Sequence, residues 1–139
     1  MTVVDASALF KLIAEEEHSD RIRKNLLAKT SVGDPIEAPD IVVPEVLNAL
    51  WKSYVLKRDM NQSNFESAVK QLDAIMEQLD LISGKELKDI ALRVSVEKRI
   101  PIYDSMYIAA GIQTGSPLLS CDRELVRKAS ELGVRIEPL

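Results

Sequence analysis

Thr2-Val-Val-Asp5, near the start of the chain, and Ser116-Pro-Leu-Leu-Ser120, followed by Cys121 and Asp122, decide the fold. Each is a short apolar run that closes on an aspartate. Each is followed by apolar residues at helical spacing. Leu9, Phe10, Leu12 and Ile13 follow the first, and Leu125, Val126, Ala129 and Leu132 follow the second. Short apolar runs bounded by turn residues read as buried strands, and three- and four-residue spacing reads as amphipathic helix.

The segments between them repeat this alternation. Ser7 to about Glu17 and Asp20 to Lys29 read as helices, and Gly33-Asp-Pro35 as a turn. Ile41-Val-Val43 reads as a short strand or an extended lead-in. Pro44 suits the first position of a helix running to about Arg58, where its missing N–H costs nothing. Asn61-Gln-Ser63 is a break with a capping residue, and Phe65 to Leu79 carries the next apolar stripe. Asp80 to Ser83 reads as a strand ended by Gly84. Leu87, Ile90, Ala91 and Val94 mark a helix, and Pro101-Ile-Tyr103 an extended segment. Ser105 to Thr114 is a small-residue helix, and Val134 to Glu137, after Gly133, a last short strand. Alternation of this kind implies an α/β fold. The expected core is a mostly parallel sheet of four to five short strands with helices on both faces, reached by right-handed crossovers.

The chain has 139 residues, which fits a single domain spanning 1–139 and allows about 68% of the unfolded surface to be buried. Hydrophobic residues make up 46% and charged residues 29%, which excludes disordered and fibrous classes. One Cys, Cys121, leaves no disulfide framework and no thiolate zinc site. One His, His18, excludes multi-His metal centres; it follows Glu15-Glu-Glu17 and is expected to be solvated. No apolar run is long enough to span a membrane, and the start lacks a signal-type pattern, so a cytoplasmic protein is expected. The net charge of −4 argues against non-specific coating of nucleic acid.

Three aspartates share one local pattern. Asp5 follows Val3-Val4, Asp104 follows Ile102-Tyr103, and Asp122 follows Leu118 to Cys121. Glu45 joins them in the first turn of its helix. Parallel strands end along one edge, the edge where open α/β sheets bind ligands. The four acids are therefore expected to converge, and a hard cation such as Mg²⁺ or Mn²⁺ would relieve their repulsion. Each acid taken singly also fits a helix cap or a macrodipole partner. Ser7, Asn48 and Ser120 lie at supporting positions: Ser7 two after Asp5, Asn48 three after Glu45, Ser120 two before Asp122. Tyr103 and Tyr107 flank Asp104 and read as core; Trp51 and Tyr54 fit core or a partner surface equally.

The stretches Val3-Val-Asp-Ala-Ser7, Pro44-Glu-Val-Leu-Asn48, Tyr103-Asp-Ser-Met-Tyr-Ile-Ala-Ala110 and Leu119-Ser-Cys-Asp-Arg-Glu-Leu125 together resemble the PIN-domain nucleases. Among these, the chain looks like the VapC-type toxins of toxin–antitoxin pairs. The resemblance covers the whole chain, and the Tyr103–Ala110 stretch is its most specific part. It implies a PIN-like fold and a Mg²⁺- or Mn²⁺-dependent endoribonuclease. Its acidic quartet would be Asp5, Glu45, Asp104 and Asp122, with Ser7, Asn48 and Ser120 in support. It also implies an RNA substrate, a homodimer and a small VapB-type antitoxin. Two other classes stay open on the residues alone. One is aspartate-based phosphotransfer, although Ser7 stands where a second carboxylate would be needed. The other is a non-catalytic binding module on the same fold.

Overall fold

The computed structural model describes residues 1–15, 17 and 19–139; His18 and Glu16 lie outside the described residues. The chain begins with β1 (Thr2–Val4), α1 (Ala6–Ile13), α2 (Ser19–Ser31) and β2 (Ile36–Pro39). Next come α3 (Val42–Trp51), continued by a π turn over Lys52–Leu56, then α4 (Gln62–Gln78) and β3 (Leu79–Ile82). It closes with α5 (Gly84–Lys98), α6 (Ile102–Thr114), β4 (Leu118–Leu119) and α7 (Arg123–Glu131).

The four strands form one parallel sheet in the order β3-β2-β1-β4. Thr2 pairs with Ile36, Val3 with Glu37 and Leu118, and Val4 with Leu119. β1 and β2 are therefore the central strands. Thr2, Val3 and Val4 are each fully buried. Successive strand side chains point to opposite faces, so both faces of β1 are covered by helices. α6 packs on β1, β2 and β4, and α2 and α4 reach β2 and β3.

The sheet departs from the sequence reading at its second strand. Ile41–Val43 is not a strand: Ile41 caps α3, and Val42 and Val43 are already helical. The strand lies earlier, at Ile36–Pro39, where Glu37 and Pro39 hide it from an apolar pattern. Glu37 is buried at 6% exposure, and Ser116 Oγ donates to its Oε1 at 2.8 Å. Pro39 falls at the strand's last residue, where a missing N–H breaks little of the ladder. Pro44 sits at the third helical position of α3, still within the turn whose N–H groups lack intrahelical acceptors.

The second departure is at Pro101-Ile-Tyr103. Pro101 is extended, but Ile102 begins α6, and the Ser105 N–H and hydroxyl both donate to Pro101 O, at 3.1 and 3.0 Å. α5 therefore passes directly into α6, with no strand between them. At the other end, Val134–Glu137 adds no full strand. It makes one parallel bridge, Leu118 to Ile136, held by Leu118 N to Arg135 O and Glu137 N to Leu118 O, both 2.9 Å. Helix α1 stops at Ile13 rather than near Glu17, because Ala14 turns extended.

The small-residue run in α6 lets it pack closely. Ala109, Ala110 and Gly111 are buried, and a Cβ built on Gly111 would stand 2.9 Å from Val134 Cγ1. Gly111→Ala is therefore expected to lose about 1–3 kcal/mol by overpacking, outweighing a helix-propensity gain of about 1 kcal/mol. Urea unfolding should show a lower midpoint, partly recovered in the Gly111→Ala, Val134→Ala double variant. A raised midpoint in the single variant would contradict this close approach.

Candidate active site at the carboxyl edge of the sheet

β1 and β4 end side by side, and their two turns are stitched together by side chains. Asp5 leaves β1 and caps α1, so that Ala8 N donates to its Oδ1 at 2.9 Å. Ser7 Oγ donates to the same oxygen at 2.7 Å. Ser120 Oγ, from the end of β4, donates to Asp5 Oδ2. Both hydroxyls also accept from the turn after β4: Ser7 Oγ from Cys121 N across the two turns, and Ser120 Oγ from Asp122 N within its own, each at 2.9 Å. Ser7 and Ser120 thus work as two-way connectors around one carboxylate.

Asp5 is 3% exposed. Burial pushes its carboxyl up to about 6 from 3.8, against the lowering effect of the Ser120, Ala8 and Ser7 hydrogen bonds; the Asp122 charge adds a further push upward. Asp122 caps α7, and its Oδ1 accepts from Glu124 N at 3.0 Å and Leu125 N at 3.2 Å. This leaves its Oδ2 with no hydrogen bond among the described residues.

Asp104 reaches the same edge from a helix rather than a strand. It is the third residue of α6, in the first turn, and half-buried. Burial raises its pKa, and the Asp122 charge adds to the rise. Glu45 is likewise half-buried, in the first turn of α3. Burial raises it, the Tyr107 hydrogen bond lowers it, and Asp104 raises it. These influences link the acids in sequence: Asp5 to Asp122, Asp122 to Asp104, Asp104 to Glu45. No lysine or arginine contributes to the shifts of Asp5, Glu45 or Asp104. The protein therefore brings these charges together without supplying a cation to offset them.

Tyr107 is the site residue that the sequence reading assigned to the core alone. It is buried, as expected, but its hydroxyl donates to Glu45 Oε1 at 2.6 Å. Burial and the Glu45 carboxylate push the phenol far above its ordinary range, so it remains a donor. The available signal was its position three after Asp104, one turn along the same helix face. Asn48 makes no hydrogen bond to Glu45. It lines a shallow cleft with Ile41, Pro44, Glu45 and Tyr103. Tyr103 is not core; it is 57% exposed.

The donor set is all oxygen: four carboxylates and two hydroxyls, chemistry that suits a hard divalent cation. Among the described residues, no three His, Cys, Asp or Glu side chains already stand together as a metal-holding group. Asp5 is fixed by three donors, whereas the Asp104 carboxylate and the Oδ2 of Asp122 accept no hydrogen bond among the described residues.

The raised carboxyl has a measurable consequence. The folded-state pKa of Asp5 lies above its unfolded value, so the folded chain holds this proton more tightly. That stabilising contribution is complete below about pH 3.8 and is lost as pH rises through about 6. A shift of this size is worth about 3 kcal/mol. Urea titrations in EDTA should show wild type losing about this much, relative to Asp5→Asn, between pH 4 and 7. Parallel pH profiles for the two proteins would contradict the assignment.

The comparisons agree with this architecture. The PIN domain family model matches residues 2–131. A Pyrobaculum aerophilum protein named ribonuclease VapC3 is 27% identical over 126 residues, covering 91% of this chain and 92% of its own length. Exonuclease VapC9 of the same organism is 29% identical over 126 residues, covering 91% of this chain and 84% of its own. The crystal structure of PAE2754 from Pyrobaculum aerophilum superposes with a TM-score of 0.69 at 27% identity, covering 91% of this chain and 78% of that one. The fold is shared too with VapBC2 from Rickettsia felis, solved bound to a DNA fragment from their promoter. That match has a TM-score of 0.68 at 17% identity and covers 98% of this chain and 96% of that one. With its parallel sheet and its model match over nearly the whole length, the chain belongs to the PIN domain family.

Proposed function

We propose that this protein is an endoribonuclease that cuts RNA phosphodiester bonds with the help of Mg²⁺ or Mn²⁺, as the toxin of a VapBC-type pair. The observation that carries this reading is the uncompensated acid cluster. Asp5, Glu45, Asp104 and Asp122 come from four separate elements to one sheet edge, and among the described residues no lysine or arginine offsets buried Asp5 or half-buried Glu45 and Asp104. The names of the two Pyrobaculum aerophilum relatives support nuclease chemistry.

In this reading Asp5, Asp104 and Asp122 hold the ion directly or through water, and Glu45 completes the acidic pocket. A bound divalent ion supplies positive charge to the phosphodiester oxygens and acidifies the attacking water. Ser7 and Ser120 keep the Asp5 carboxylate in one orientation, and Tyr107 does the same for Glu45. One cleft is lined by Glu45 together with Asn48 and Tyr103; another, lined by Ser120, Cys121 and Arg123 among others, holds none of the four acids.

Two surfaces support the proposed partners. Leu47, Trp51 and Val55 recur at four-residue spacing and are 46–49% exposed, suited to a homodimer. An apolar groove of about 280 Å³, lined by residues including Leu12, Leu26, Leu27 and Ile75, suits a helical segment of a VapB-type antitoxin. Among the described residues, no helix is long and apolar enough to cross a membrane. A cytoplasmic location is part of this proposal.

Cleavage of a mixed RNA pool in Mn²⁺ tests the reading. EDTA should abolish cutting. Asp104→Asn, folded by circular dichroism, should cut at least about 100-fold more slowly, which corresponds to about 2.7 kcal/mol. Cutting that persists in EDTA would overturn the metal route. A folded wild type that binds RNA but never cuts it would point instead to a binding module.

A further inference from the structure

The acid cluster shares Glu45 with the shallow cleft on its α3 side, which has a volume of about 410 Å³. Its other walls are Ile41, Pro44, Asn48 and Tyr103. The aromatic residues elsewhere are mostly engaged. Tyr54 stacks on Phe65 at 4.4 Å, Phe10 packs on the core, and Tyr107 is buried against Glu45. Trp51 is exposed but does not line this cleft. Tyr103 is 57% exposed, its hydroxyl makes no hydrogen bond among the described residues, and it directly precedes Asp104 in α6. A bare aromatic ring beside a free amide, at the margin of a phosphodiester-cutting centre, matches an unstacked nucleobase. Such a base offers a π face to the ring and a hydrogen-bonding edge to the amide.

We propose that Tyr103 is the shelf on which the nucleobase beside the cut phosphodiester stacks, with Asn48 reading that base's edge. The proposal rests on the RNA-cleaving reading above and adds a residue-level source of specificity to it. A second copy of the chain is a poorer occupant. It would bury Glu45, already half-desolvated, with no added cation. A nucleotide instead brings its base to Tyr103 and its phosphate toward the acids, where the proposed ion offsets the charge. With one ring in the cleft, the shelf holds one base rather than a run of them.

The test uses a random-sequence 12-nucleotide RNA pool in Mn²⁺, with initial rates and sequencing of the cut ends. It compares wild type with Tyr103→Ala, Tyr103→Phe and Asn48→Ala. Base–aromatic stacking predicts that Tyr103→Ala raises KM roughly 5- to 100-fold. Its kcat should change little, as expected for lost uniform binding. Tyr103→Phe should keep the wild-type KM, because the ring and not the hydroxyl does the stacking. Asn48→Ala should flatten the base preference at one position next to the cut. An unchanged KM and base preference in Tyr103→Ala would overturn the proposal while leaving the nuclease reading intact. So would a fall in kcat alone, which would mean that Tyr103 only positions Asp104. A shift in oligomeric state by light scattering in Tyr103→Ala would assign the ring to a second copy instead. A wild type that does not cut the pool would overturn both readings.

Discussion

Removing a carboxylate from water is unfavourable unless other donors replace the solvent, and the structure is organised around meeting that demand at Asp5. Ser7, Ala8 and Ser120 supply the donors. Two of these come from the turn after β1, and the third from the turn after β4. The same hydroxyls then accept backbone N–H groups from the β4 turn, so neither turn can move without breaking the other's hydrogen bonds. The Val3–Leu118 and Val4–Leu119 pairings of the sheet lead directly into this knot.

Around that fixed point the other acids differ in freedom. Glu45 is held by Tyr107 across 62 residues of chain, which ties α3 to α6. Asp122 commits one oxygen to capping α7 and keeps the other free. The Asp104 carboxylate accepts no hydrogen bond among the described residues. Two anchored carboxylates facing two adjustable ones suit a centre that must take up and release charge. Among the described residues, no three such side chains stand together as a ready metal-holding group.

The parts of the fold that the sequence exposed are those where burial alone dictates composition. β1 and β4 are buried on both faces, so Val3, Val4, Leu118 and Leu119 form apolar runs that cannot be mistaken. β2 was illegible because its buried glutamate is satisfied by Ser116, a partner 79 residues away that no local pattern reveals. Asp104 fitted the strand-end pattern of Asp5 and Asp122 only by resemblance. It arrives at the edge through the first turn of a helix, as Glu45 does. The acid that does follow β2 is Asp40, and its Oδ1 accepts from Gly84 N at 3.1 Å. Tyr103 and Tyr107 looked equivalent in sequence. One helical turn between them separates an exposed ring from a buried hydroxyl.

The sheet order β3-β2-β1-β4 also fixes when the acid cluster can come into being. Its Asp5 carboxylate leaves the ribosome before the hydroxyl that grips it, which comes 115 positions later. At roughly 5–20 residues per second, that gap is about 6–23 seconds of synthesis. During that interval the nascent chain can hold β1, β2 and β3 but not the edge strand that completes the cluster. A chain released short of Ser120 therefore carries Asp5 and Glu45 without Asp122 beside them. The centre is completed only once Ser120 and Asp122 have been made and β4 has paired beside β1.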